Sequence, residues 1–265
     1  MTGVLVLAAL PEEVGPTRAR LRRRARLRGT PNIQGWTGTL AQVPVTLALT
    51  GAGAANARTA MTRLLSDRPT PALVVVIGLG GGLDPRLRAA DLVIGAHVMN
   101  GDGASRRVAH AQWLARAERA TGGVPGTIAT VDQLVGTAAE KRVLVRRLCT
   151  QLDAEGLPWG AVDLETWWCV EQAAEQGIPW VALRAISDAA QDDLPAPLST
   201  CRDAQGGIDR RRVVLGAVRQ PGSVPGLVRL AWRTRRCAQV LADALERLIA
   251  SRPSLLPLGR VGRLP

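Results

Sequence analysis

Apolar residues in this chain gather in short runs that alternate with segments of helical period. "GVLVLAAL" (Gly3–Leu10), "VPVTLALTG" (Val43–Gly51), "ALVVVIGLGGG" (Ala72–Gly82) and "WVALRAI" (Trp180–Ile186) are almost unbroken in Val, Leu, Ile and Ala. Such runs suit strands covered on both faces. "DLVIGAHVM" (Asp91–Met99), "GTIATVDQLV" (Gly126–Val135) and "WGAVDL" (Trp159–Leu164) extend the set. Between them, Ala54–Asp67, Thr137–Leu152 and Glu165–Gln176 read as helices, the last closed by Gly177 at its C′ position. A helix opening at Pro11 is expected to carry the arginine run "RARLRRRARLR" (Arg18–Arg28). Near the end, Ser223–Ser251 forms an amphipathic helix, in one piece or two. The alternation predicts an α/β domain over residues 1–250, a mostly parallel, twisted mixed sheet flanked by helices. The amphipathic helix is its C-terminal extension, and residues 251–265 are expected to be a loosely ordered tail.

Strand order makes Ala161–Asp193 the informative stretch. Strand, helix and strand form one βαβ unit, so the two strands are expected to be parallel, with their carboxyl ends on one sheet edge. Glu165 follows the first strand and Asp188 ends the second. Glu13, after "GVLVLAAL", is expected at the same edge, where open α/β sheets bind ligands. Two glycine turns, "TGAGAANA" (Thr50–Ala57) and "GLGGGLD" (Gly78–Asp84), are expected there too, with backbone N–H groups free for an anion or a sugar. Convergent carboxylates suit cleavage of a glycosidic bond: one acid protonates the leaving group while others grip hydroxyls or orient the nucleophile. Helix capping is the competing role for the same acids.

Composition narrows the class. The chain has 265 residues, is 46% hydrophobic, and carries a net charge of +12 that is almost entirely arginine. Lys141 is its single lysine, and it has seven Trp but no Phe or Tyr. Base stacking on Phe or Tyr is excluded and no nucleic-acid-binding motif appears, so no nucleic-acid partner is expected. An anionic membrane surface is the partner that suits the charge. Cys149, Cys169, Cys201 and Cys237 are widely spaced, and His97 and His110 stand apart from them as surface or loop residues. No metal site is expected. The N-terminal apolar run lacks a basic flank and reads as a core strand, which makes the cytoplasm the expected compartment.

"LPEEV", "TGAGAANA", "GLGGGLDPRLRAADLVIG", "VDLET" and "RAISDAA" occur in this order, with 23 positions from Glu165 to Asp188. In these motifs the chain resembles the superfamily of purine nucleoside phosphorylases and methylthioadenosine/S-adenosylhomocysteine nucleosidases. "AAEK" (Ala138–Lys141) and the segment Asp192–Ala231 are most similar to the hopanoid-associated phosphorylases, or adenosylhopane nucleosidases. The resemblance implies release of adenine from adenosylhopane, with Asp188 as general acid at the purine. It also implies Glu165 on the ribose hydroxyls and Glu13 at the nucleophile. Gly78, Leu79, Gly80 and Gly81 would form the nucleophile or phosphate loop; Leu134, Val135, Ser187 and Arg184 would lie around the base. No cofactor is implied, though phosphate could be a co-substrate. A homo-oligomer is expected, with Trp167 and Trp168 lining a lipid channel or packing in the core. A housekeeping methylthioadenosine/S-adenosylhomocysteine nucleosidase and a silent nucleoside-binding scaffold are the alternatives.

Overall fold

The computed structural model describes residues 3–103, 105–152, 159–195 and 224–251. The expected tail falls outside them, apart from Ser251. The strands are β1 (Val4–Ala8), β2 (Arg22–Arg26), β3 (Gly35–Leu40), β4 (Val43–Leu49) and β5 (Leu73–Gly82). They continue as β6 (Leu92–Asn100), β7 (Arg106–Val108), β8 (Val124–Thr130), β9 (Trp159–Asp163) and β10 (Trp180–Asp188). The helices are α1 (Pro11–Arg20), α2 (Ala54–Ser66), α3 (Ala111–Thr121), α4 (Ala138–Leu152), α5 (Thr166–Glu175) and α6 (Val224–Ala250).

The central strands are apolar on both faces because each face meets its own helical layer. On β1, Val4, Val6 and Ala8 join one core with α1, α3 and α6, while Leu5 and Leu7 join another with α2 and α5. β5 and β10 divide their side chains in the same way. A third, smaller cluster lies under α4, around Leu83, Val131, Leu144 and Val162.

The sheet is mixed, as expected, yet it also closes. β5 is ten residues long and pairs with the shorter β1 only through Leu73–Val76. Its far end is therefore free to take β9, at Gly81 and Gly82. The ring β5–β10–β6–β8–β9 is complete, with β1, β4, β3 and β2 extending from it in that order. Closure corrects one expectation: β9 and β10 are not parallel. Both flank β5, with β10 parallel to it and β9 antiparallel. The arginine run departs from expectation too. α1 ends at Arg20, and Arg22–Arg26 form an exposed strand at the sheet's outer edge. A row of charges there blocks edge-to-edge pairing.

Two smaller corrections and one open point follow. The expected strand at Gly126–Val135 ends at Thr130. His97 is buried in β6 and is no surface residue. α6 is one continuous helix.

Candidate active site

β5 organises the site through its glycines. Gly78, Gly80, Gly81 and Gly82 were expected in a turn, but all lie within the strand. A Cβ on Gly78 would stand 2.3 Å from the Arg184 Nη1 and 3.0 Å from Glu13 Oε1. One on Gly81 would stand 3.2 Å from Asp188 Oδ2 and 3.5 Å from the Lys141 Cε. The glycines thus make room for charged side chains to lie against the strand. They mark two groups of residues about 10 Å apart along β5, at some 3.3 Å per residue.

The first group surrounds Arg184. Its Nε donates to Asp163 Oδ2 at 2.7 Å; Nη2 donates to Thr166 Oγ1 at 2.5 Å and forms an ion pair with Asp163 Oδ2 at 2.5 Å. Nη1 is buried with no hydrogen-bond partner. Arg184, which the resemblance places around the base, sits on β10 opposite Gly78, one bulge before Asp188, and its side-chain partners are Asp163 and Thr166. Glu13, in the first turn of α1, accepts from Ala9 N and Leu10 N through Oε2 and from Leu79 N through Oε1, all at 2.9 Å. Burial pushes its carboxyl above the ordinary range, against the pull of Arg184 and of those three N–H groups. Glu165 occupies the N-cap position of α5 without a side-chain capping bond, and its carboxylate instead accepts from Gly53 N at 2.8 Å, at the start of α2. The "TGAGAANA" turn, with Gly51 and Gly53 at positive φ, therefore receives a protein carboxylate. Burial, then the Asp163 charge and more weakly that of Glu13, push Glu165 up to about 8.

Asp163 is a residue the sequence reading missed. It is buried, and it also accepts from Thr130 Oγ1 at 2.6 Å and from Thr166 N and Oγ1. Its place two residues before Glu165, as the last residue of a buried strand, was the available signal. β9 runs back against the end of β5, so Asp163 and Glu165 arrive from the direction opposite to β10.

The second group surrounds Asp188, the last residue of β10, which is 3% exposed. Ser187 Oγ donates to its Oδ1 at 2.5 Å. Lys141 Nζ donates to its Oδ2 at 2.5 Å, and to the carbonyls of Ala189 at 2.7 Å and Asp192 at 3.1 Å. The β8–α4 loop holding the half-buried Leu134 and Val135 is tied to this segment, with Leu194 N donating to Gly136 O and Ala138 N to Asp193 Oδ1. A cleft of about 200 Å³ opens beside Asp188, lined by Asp192, Leu194, Pro195, Arg229 and Arg233.

Trp167 and Trp168 lie in the core with Leu7, Val74 and Ile178, so they are not channel walls. Arg58 stacks 3.9 Å above the Trp168 ring. Among the described residues no cluster of His, Cys, Asp and Glu could hold a metal ion.

The closed mixed sheet, with carboxylates set against its long glycine-bearing strand, defines a protein of the nucleoside phosphorylase and nucleosidase type. Residues 4–210 match the model of the Phosphorylase superfamily, and the chain belongs to that family. It is an enzyme of N-glycosidic bond cleavage. Over 174 residues it is 32% identical to the futalosine hydrolase of Streptomyces coelicolor, covering 57% of this chain and 70% of that one. Its fold is shared by the methylthioadenosine/S-adenosylhomocysteine nucleosidase of Neisseria meningitidis, solved with methylthio-immucillin-A. That likeness has a TM-score of 0.72 at 18% identity over 95% of this chain and 100% of the other. A point mutant of the Helicobacter pylori nucleosidase, with 5′-methylthioadenosine in its active site, gives a TM-score of 0.72 at 16% identity over 94% and 98%.

Proposed function

We propose that this protein hydrolyses an adenosine-type nucleoside, with the adenosyl lipid adenosylhopane as its substrate. The observation that carries the reading is the pairing of two charged groups along β5: Asp188 at Gly81, and Glu13 with Arg184 at Gly78. In this reading the purine lies against Asp188, held by Ser187 and flanked by Leu134 and Val135. The ribose hydroxyls meet Glu165. As the C1′–N9 bond breaks, its electron pair passes into the purine, which takes a proton at N7 from the Asp188 side. Water bonds to C1′ and gives its proton to Glu13, whose raised affinity for protons suits a general base.

Water is favoured over phosphate for two reasons. The Leu79 N–H is already bound to Glu13, and Gly78–Gly82 are strand residues, so that segment offers no nest of free N–H groups. A carboxylate at Glu13 would also repel a phosphate anion. No step calls on a metal or a cofactor. The lipid assignment rests on the sequence resemblance. The exposed arginines of β2 support contact with an anionic membrane surface, and the same reading takes the protein to be a homo-oligomer. The second reading is a housekeeping methylthioadenosine/S-adenosylhomocysteine nucleosidase, which the shared fold favours.

The test is chromatography of released base from adenosylhopane, methylthioadenosine, S-adenosylhomocysteine and futalosine, each with and without phosphate. Phosphate-independent release from the adenosyl lipid alone is expected. Preferential turnover of a water-soluble nucleoside would replace the lipid assignment, and a ribose-1-phosphate product would replace water as nucleophile. Absence of release from all four would make the protein a silent scaffold.

A further inference from the structure

We propose that Lys141 is a positioning residue that holds Asp188 and supplies, through it, the proton taken by the departing purine; this rests on the hydrolytic reading above. Every other side-chain cation in the chain except histidine is arginine. This one lysine is 1% exposed and lies against the candidate general acid.

The hydrogen bonds fit an ammonium set against a carboxylate. All three protons of a lysine ammonium find acceptors: Asp188 Oδ2, Ala189 O and Asp192 O. Asp188 accepts on both oxygens, from the ammonium and from the Ser187 hydroxyl. A carboxylate held in this way is ionised and has no proton of its own to donate. The proton must therefore move from Nζ to Asp188 and from Asp188 to purine N7, as the C1′–N9 electron pair enters the ring. Lys141 is left as a neutral amine and regains a proton from solvent after the base departs. An ammonium can make this transfer; a guanidinium keeps its proton at any pH a protein survives.

Among the described residues, the neighbouring acids accept from other donors. Asp192 accepts from Arg233 Nη1 at 2.7 Å and from Ala189 N at 3.2 Å. Asp193 accepts from Ala138 N, and Glu140 accepts from Gly136 N and Thr137 N. From α6, Arg233 and Arg236 are guanidiniums, and burial pushes the Cys237 thiol up to about 11.

A single lysine makes the test selective. Labelling with ¹⁵N-lysine gives one ammonium resonance, and the wild-type protein is expected to show it exchanging slowly. Its titration should coincide with the alkaline limb of wild-type kcat. A freely exchanging signal, or one that titrates away from that limb, overturns the proposal even where every Lys141 variant fails to fold.

The variants then separate proton from charge. Lys141→Met should lose about 100-fold in kcat near about pH 9 yet stay within about tenfold near about pH 6, where protons from solvent are about 1000-fold more abundant. Lys141→Arg should be poor at both, because it holds Asp188 ionised without a proton to give. Ethylamine should restore Lys141→Ala, and guanidinium should not. A fully active Lys141→Arg, or equal rescue by guanidinium, overturns the proposal. If the wild type cleaves a nucleoside and Lys141→Met matches it at both pH values, this inference alone fails. If the wild type cleaves none, the functional reading fails and takes this inference with it.

Discussion

The Glu165 carboxyl should make the protein lose stability as pH rises through neutrality. In the fold its proton affinity is raised from an ordinary 4.5 to about 8, first by burial and then by the Asp163 charge. Between those values the folded state binds more protons than the unfolded chain, so the slope of unfolding free energy with pH is negative. The stabilisation is complete below about pH 4.5 and is lost as pH passes about 8. One unit is worth about 1.4 kcal/mol, which bounds the effect near about 5 kcal/mol. Glu165 is only half-buried, so solvent screening reduces the expected size to about 2–3 kcal/mol, a large part of the typical margin of about 5–15 kcal/mol. Urea melts from about pH 5 to about pH 9 measure it. Glu165→Gln should flatten the decline, leaving the smaller slope of Glu13, which is raised in the same direction. A wild-type protein equally stable across that range would refute the reasoning, as would a Glu165→Gln variant with an unchanged slope.

Other perturbations follow from the same geometry. Arg184→Met removes the cation from among Glu13, Asp163 and Glu165 and should cost about 3–5 kcal/mol, or about 10 °C in a thermal melt. Gly78→Ala puts a methyl 2.3 Å from the Arg184 Nη1, whereas in Gly80→Ala the nearest atom is the Ala161 methyl at 3.1 Å. Gly78→Ala should therefore be the less stable and less active, by circular dichroism and base release. Asp188→Asn should lower base release by about 10²–10⁴-fold, read by chromatography, and also lower stability by leaving the Lys141 ammonium unpaired. Trp167→Ala should lose about 3–5 kcal/mol in a urea melt, with no change in preference between a lipid-linked and a short nucleoside.

The sequence by itself determined the α/β class, the buried strands and the acids at strand ends. Val4–Ala8, Leu73–Ile77 and Trp180–Ile186 are apolar at every or nearly every position, a local property that survives any arrangement of the strands around them. Glu13, Glu165 and Asp188 were legible because each lies at or just beyond a strand's end. Only the tertiary structure decided how those ends meet. Nothing local says that β5 outruns β1 and captures β9, and that pairing is what closes the ring and brings Asp163 toward Arg184. The glycines of β5 read as a turn because sequence shows their missing side chains but not the guanidinium and carboxylates that fill the space. Lys141 and Asp188 are 47 positions apart, and an ion pair between two elements is fixed by packing, which no periodicity records.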